Sequence, residues 1–484
     1  MGSSATDLEL PPADSPSLVL AKATEAERLR TWSKTHPLWG PALSREDYLA
    51  REAYLTTVPL AKDGGITHWI LTDARAPPDA RPIYSSCESL RKPALAAYRV
   101  KKQGEGGGEA VKVEDGLAHG VGSVFTDEKY RGRGYAGRMM QEMGRALRTW
   151  QAGTRAGASG PHGCGCGSGN GGVVAVSDGK EEEEEEEEAP EGTRCLFSIL
   201  YSDIGKKFYA SRGWAPFAST HLSFPPAAAA AATAKDNAAA DSQAAAATNG
   251  SSSNGTTELR ARPIGYHELA ELCAVDERQL RASLARRAAR RGSGKTTHVA
   301  LVPNLDQMLW HLMREDFVTK HVFGRTPAVR GAVYGAPGRR LWAVWTRGYY
   351  GGLERVEGNT LHVLRFAVEG WREEGGDPAI DDDDDDDDDH DHESCRGEGG
   401  DYEYLAAGMR AIVRLAQAEA AEWRSADVQM WNPPPALRRA VDLAGLEHEV
   451  VERDKDSIAS LMWYGKQGRT EELDWVLNEK YGWC

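Results

Sequence analysis

The chain has 484 residues and a formal net charge of −15, too long for one ordinary core, so two or three domains are expected. The acidic runs at 181–188 and 381–389 carry more negative charge than the whole net excess, so the folded parts are near neutral and the acidity lies in self-repelling, solvated segments. The seven cysteines are odd in number and scattered, the N-terminus lacks a basic start and an apolar core, and no apolar stretch approaches about 18 residues. No signal peptide or membrane span is therefore expected, and free thiols in a reducing, cytoplasmic compartment fit best.

From the N-terminus, "MGSSAT" matches the loose myristoylation pattern, though no polybasic partner follows. Residues 1–16 read as disordered, and a first domain is expected over 17–224. Its predicted order is a strand at 18–24, helices at 25–36 and 45–57, then strands at 67–73, 82–90 and 116–126. A helix over 135–150 follows, then a strand at 194–202, a helix at 204–212 and a strand at 219–224. About 152–192 is a Gly-rich and then acidic insertion. His162, Cys164 and Cys166 lie in it, but so much backbone freedom does not hold ligands in fixed geometry. His390 and His392, beside the Asp run, carry the same discount, so no metal is expected.

The Ala/Ser/Asn tract at 225–257 reads as a linker. Beyond it, over 258–484, the element order recurs. A strand at 258–264 and helices at 266–287 and 305–322 precede strands at 329–335, 340–348 and 360–368. After an acidic insertion at about 375–400 come a helix at 404–423, a strand at 426–431, a helix at 436–445, and strands at 447–453 and 458–465. The expected class is α/β of the α+β kind, a tandem repeat of one fold with mixed, mostly antiparallel sheets flanked by helices.

The chemistry concentrates in "VFTDEKYRGRGYAGRMM", where a strand ends and a helix begins. A helix N-terminus exposes about four unbonded N–H groups and about half a positive charge, and so binds anions when the backbone can approach closely. Gly132 and Gly134 remove obstructing side chains, while Arg131 and Arg133 add charge. A Walker phosphate loop is absent. Gly132, Gly134 and Gly137 have the bare dinucleotide-loop spacing, but the strands before them do not alternate with helices. The basic patch is one turn long, which argues against nucleic acid.

The pattern R-x-x-G-x-[GA], as Arg131, Gly134 and Ala136, resembles the GNAT superfamily of N-acetyltransferases. "YSDIGKKFYASRGW" is similar to a second motif of that superfamily, with Tyr209 four residues before Gly213-Trp214. The resemblance implies that acetyl-CoA is the co-substrate, its pyrophosphate on the turn Arg131, Gly132, Arg133, Gly134, Tyr135 and Ala136, and its pantetheine along the backbone of Val124, Phe125 and Thr126. Ser202 stands where the superfamily usually has Asn. Tyr209 is implied as the acid that protonates the leaving thiolate, with packing on Trp214 as its alternative role. Glu88 and Asp203 are the candidate bases; either instead holds the ammonium or caps a helix. Asp127 and Glu128 lie in the turn and face solvent.

Four stretches, at 85–95, 123–140, 200–214 and 456–465, resemble one branch, the fungal lysine N6-acetyltransferases of lysine catabolism. This implies free L-lysine as the small-molecule amine partner. The second repeat lacks the glycine–arginine turn and is expected to be a degenerate copy, with Trp431, Trp463 and Tyr464 as candidate cleft residues or core. The alternatives are acetylation of another small amine or of a protein lysine, or a non-catalytic acyl-CoA-binding regulator.

Overall fold

The computed structural model describes residues 10–102, 108–153, 194–228, 260–291, 294–371, 398–465 and 469–483. The chain forms two compact units that are not contiguous in sequence. Unit one takes Met1–Thr220, Ala270–Thr326 and Glu452–Cys484; unit two takes His221–Leu269 and Pro327–Val451.

Unit one begins with β1 (Leu18–Lys22), α1 (Glu25–Trp39), α2 (Arg45–Leu55) and β2 (Ile66–Asp73). Thr24 starts α1 through a reciprocal capping box with Glu27, and the Ser44 hydroxyl accepts from Asp47 N–H at the start of α2. Next come β3 (Ser85–Lys101), β4 (Glu109–Phe125), α3 (Tyr135–Leu147), β5 (Cys195–Ser202), α4 (Lys207–Ala210) and β6 (Ala215–Pro216). After β7 (Thr220–Phe224) and β8 (Arg262–Ile264) come α5 (Tyr266–Ala289), β9 (Thr297–Leu301) and α6 (Leu305–Phe323).

The remaining strands and helices are β10 (Gly331–Tyr334), β11 (Leu341–Tyr349), β12 (Asn359–Val368), α7 (Glu398–Glu422), β13 (Asp427–Trp431), α8 (Pro435–Leu443), β14 (Glu449–Glu452), β15 (Ile458–Trp463) and β16 (Leu473–Trp475).

The sheet of unit one runs β1-β2-β3-β4-β5-β15-β6, with β9 paired to β3 and β16 to β9. It is antiparallel except for the β4–β5 and β16–β9 pairs. The sheet of unit two runs β14-β7-β13-β12-β11-β10-β8, with β12 and β13 parallel and α7 connecting them. Both units therefore hold a helix-connected parallel pair inside an otherwise mostly antiparallel sheet, the α/β plan expected of a tandem repeat.

Two strands depart from chain order. β7, expected to close the first repeat, lies on β13 in the sheet of unit two, Val428 opposite Phe224. β15, expected to complete the second, lies on β5 in unit one, Ile458 opposite Ser202. The division at 225–257 drawn from composition is thus not the division that contacts make. Composition marks where a chain leaves its core, not which sheet its next strand joins. Most of 225–257, together with most of the 152–192 and 375–400 segments and the histidines and cysteines in them, lies outside the described residues.

The core of unit one gathers Leu18, Leu20, Trp69, Leu71, Met139, Met143, Leu147, Leu200 and Trp214 against α3. Among the described residues no helix is long and apolar enough to cross a membrane.

Candidate active site

All thirteen candidate residues fall in unit one, around the C-terminal ends of β4 and β5. The two strands pair in parallel from Leu117–Cys195 to Val121–Leu200, and no residue of β4 beyond Val121 has a partner on β5. On its other side β4 stays on β3, Phe125 opposite Ser86, through a bulge between Ser86 and Glu88. Ser123 takes φ 52 there. The backbone from Ser123 to Phe125 thus offers one free edge, the geometry that takes an added strand. Val124 packs on the core, Phe125 meets Trp39 edge-on at 6.4 Å, and the Thr126 and Ser85 hydroxyls are 2.6 Å apart.

The turn after β4 is held by its own charges. Arg131 Nε donates to Thr126 O at 3.0 Å, and Lys34 Nζ reaches Asp127 Oδ2 at 2.6 Å, tying the turn to α1. Gly132 and Gly134 have φ 75 and 83, a region costly for residues with a Cβ. A Cβ on Gly132 would meet nothing within 4 Å, whereas one on Gly134 would come within 3.1 Å of the Ala13 Cβ. Gly134 is the N-cap of α3 and supplies no side chain to its first turn. The first-turn N–H groups of α3 thus have no side-chain cap from Gly134, and the side chains of Arg131 and Arg133 beside them are exposed.

Tyr135 contributes only backbone to that turn. Its ring is buried against Tyr84 at 4.8 Å, and its hydroxyl donates to Pro11 O at 2.6 Å. Ala136 follows in the same turn.

On the other strand, Ser202 is buried and occupied locally. Its hydroxyl donates to Gly205 O at 2.7 Å and accepts from Ile204 N–H at 3.3 Å. Asp203 Oδ1 accepts from Ser457 N–H at 2.8 Å, an anchoring role on β15's lead-in. Tyr209 lies in α4, 7% exposed, with Phe208 edge-on at 4.9 Å and Trp214 in the same core cluster. Burial, then Cys87 and Asp203, hold its phenol well above the ordinary value, so it stays protonated. Its hydroxyl makes no side-chain hydrogen bond among the described residues.

Glu88 occupies the position opposite Gly122 of β4 and is 8% exposed. Ser123 Oγ donates to its Oε1 at 2.7 Å, and His68 Nε2 is 3.5 Å from its Oε2. Burial, reinforced by the nearby Glu52 charge, pushes the Glu88 carboxyl up to about 7. Burial, with Arg28 adding, pulls His68 down to about 3, so that imidazole is neutral at physiological pH. Of the two candidate bases, Glu88 lines a pocket and Asp203 accepts a backbone amide through Oδ1.

That pocket is narrow, with about 20 Å³ of room for the centres of water-sized molecules, and lies between α1, α2 and the β2–β3–β4 surface. Trp32, Trp39, Tyr48 and Trp69 wall it, and Arg28, Glu52, His68 and Glu88 are its ionisable members besides Tyr48 and Cys87. Sequence reasoning passed over this wall. A signal was present: Arg28, Thr31, Trp32, Thr35 and Trp39 are spaced along one face of α1. Of the aromatics proposed to line a cleft, Tyr464 is core, its hydroxyl 2.7 Å from Ser198 Oγ, and Trp431 is buried in unit two. Among the described residues no group of three or more side chains could hold a metal.

Residues 244–484 match the family described as LYC1 GNAT-like C-terminal domain. A lysine acetyltransferase of Yarrowia lipolytica is 32% identical over 126 residues; the match spans 26% of this chain and 28% of that relative, so only about a quarter of its length is covered. A GCN5-related N-acetyltransferase from Kribbella flavida aligns over 92% of this chain and 70% of its own, at 13% identity and TM-score 0.40. Saccharomyces cerevisiae N-myristoyltransferase with bound myristoyl-CoA aligns over 94% and 81%, at 8% identity and TM-score 0.43.

Proposed function

We propose that the chain, an N-acetyltransferase of the GNAT type whose residues 244–484 match the LYC1 GNAT-like C-terminal domain, acetylates a primary amine, the side-chain amine of free L-lysine, by direct attack on acetyl-CoA in a ternary complex. One observation carries the reading. A buried carboxyl poised near neutrality, Glu88, lines an aromatic pocket and is hydrogen-bonded to Ser123, where β4 has no partner on β5.

Acetyl-CoA supplies the activated acyl carbon and a thiolate leaving group when bound. The turn from Arg131 to Ala136 holds its diphosphate, and the backbone of Val124, Phe125 and Thr126 hydrogen-bonds the pantetheine arm.

A lysine ammonium, with pKa about 10.4, is almost wholly protonated at neutral pH and unreactive. Glu88 takes a proton from it, directly or through one water, so that the nitrogen lone pair forms the new N–C bond as the C–S bond breaks. Tyr209 gives its proton to the departing sulfur; its buried phenol stays in the acid form until that charge appears. Ser202 and Asp203 shape the loop that presents α4. The second proton leaves the nitrogen for solvent as the amide forms, Glu88 releases the first there, and solvent reprotonates Tyr209, so one proton is released net as the acylated amine and free thiol depart.

The test is thiol release from acetyl-CoA in the presence of free amino acids, polyamines and histone peptides. L-Lysine is expected to give the fastest release, with N6-acetyl-lysine as product. Cofactor binding without release on any amine overturns the enzyme reading and leaves a binding protein. Equal rates on every amine remove the lysine assignment alone.

A further inference from the structure

The charges lining the pocket do not cancel where they stand. Glu52 is matched, since Arg51 Nε donates to its Oε1 at 2.9 Å. Glu88 faces a neutral imidazole and a serine hydroxyl. Arg28 is the one arginine or lysine among the lining residues, and its guanidinium has no carboxylate or carbonyl partner among the described residues. Its neighbour is a ring: the guanidinium carbon lies 5.7 Å from the Trp32 centroid. Trp32 in turn meets His68 edge-on at 5.4 Å, and His68 is 3.5 Å from Glu88. A guanidinium without an ion pair and a buried carboxyl held by a serine hydroxyl and an imidazole are thus joined by an aromatic wall.

A ligand complementary to this wall has a carboxylate at one end, an amine at the other, and an apolar stem between them. We propose that Arg28 is a specificity-determining residue that binds the α-carboxylate of a free diamino acid, so that the pocket selects an amino acid over a polyamine or a lysine inside a protein. This rests on the acetyltransferase reading above and deepens it. The planar guanidinium pairs with a carboxylate in two parallel hydrogen bonds, while its flat face rests on Trp32. The methylenes of the substrate lie along Trp32, Trp39 and Tyr48, and the far amine reaches Glu88. A peptide-bound lysine has no carboxylate to offer, and its flanking chain would have to enter a pocket walled by two helices.

The experiment compares wild type with Arg28→Gln on two substrates, L-lysine and cadaverine, which keeps both amines and lacks the carboxylate. Loss of one charge-assisted pair should raise the KM for L-lysine by about 10- to 100-fold with little change in kcat. The lysine-to-cadaverine ratio of kcat/KM should fall at least about tenfold, and Arg28→Lys should recover part of it. Norleucine, which has the carboxylate and no side-chain amine, is titrated by calorimetry in parallel; its affinity should fall by a similar factor. That arm reports on Arg28 even if no amine is turned over, so failure of the catalytic reading and failure of this one are distinguishable. An equal loss on both substrates, or norleucine binding that ignores the substitution, overturns the proposal. Should Arg28→Gln fail to fold, Arg28→Lys carries the test in its place: an unchanged lysine-to-cadaverine ratio overturns the proposal, and a fall in that ratio through a raised KM for L-lysine upholds it.

Discussion

With Glu88 as the proposed base, one proton links catalysis and stability. As a base it is active ionised, so kcat/KM should rise with pH along a limb centred near 7, where burial has placed its carboxyl. Glu88→Gln should abolish that limb and lower the plateau by about 100-fold or more; a limb that survives in the variant removes Glu88 as the base. The stability effect has the opposite sign. Because the folded value lies above the ordinary 4.5, the folded state holds the proton more tightly. The stabilising contribution is full below about 4.5 and is lost as pH rises through about 7. Glu88→Gln, which mimics the protonated form and keeps an acceptor for Ser123, should therefore be more stable than wild type above pH 7. The difference should reach up to about 3 kcal/mol and vanish below pH 4.5, as read by urea unfolding across that range. Tyr209→Phe provides the acid's counterpart. Coenzyme A should bind with unchanged enthalpy and affinity in calorimetry, while turnover falls by about 10²- to 10⁴-fold; unchanged turnover would leave Tyr209 a packing residue for Trp214.

The turn into α3 is where sequence and structure agree most closely, for a local reason. Gly132 and Gly134 take positive φ, and the helix begins at the next residue, so the conformation is written in the few letters of the turn itself. Gly134→Val should test conformation and cofactor binding at once. A β-branched residue at φ 83 costs about 1–2 kcal/mol, and its Cβ would press on Ala13. Coenzyme A affinity should drop by at least about tenfold, more than the loss of thermal stability explains, because the added side chain would stand beside the proposed diphosphate site. Affinity that holds at the wild-type value would detach this turn from cofactor binding. Elements with non-local causes were less legible. β9 was not anticipated: all five of its residues are buried, so they show no alternation, and its partner Ala94–Tyr98 lies some 200 positions earlier. β3 extends to Lys101, well past Leu90, because Arg91, Lys92 and Pro93 are accommodated by tertiary contacts. Lys92 Nζ donates to Gly482 O at 3.0 Å, and Pro93 O accepts from Val302 N–H. Only Lys207–Ala210 of the expected 204–212 helix is helical, since Gly205 at φ 81 postpones its start. The α1 wall of the pocket stayed hidden because helical spacing of tryptophans signals core as readily as cleft.

At the scale of the whole chain, the recurrence of one element order was visible, but the exchange of β7 and β15 was not, because a strand's hydrophobic pattern does not name its partner. The exchange has a consequence for any attempt to isolate the catalytic residues. Residues 1–224 contain every candidate site residue, yet unit one takes β15 against β5 and β9 against β3 from beyond them. Without β15, the edge of β5 from Phe197 to Ser202 loses its antiparallel partner, and Ser198 loses the Tyr464 hydroxyl. Met462, which packs against Gly144 and Gly213 beside Trp214, is lost too. Without β9 and α5, Leu95 and Ala97 lose the cluster with Leu280, Leu284 and Val302. Two newly open strand edges flanked by apolar surface are an aggregation template. A 1–224 fragment should therefore be insoluble or lack a cooperative melt, and should not bind coenzyme A. Co-expression with 258–484 should restore both, since that piece returns β9 and β15. A soluble 1–224 fragment with a sharp thermal transition and full coenzyme A affinity would show that the first repeat closes its own sheet, which the registers of β5 and β3 argue against.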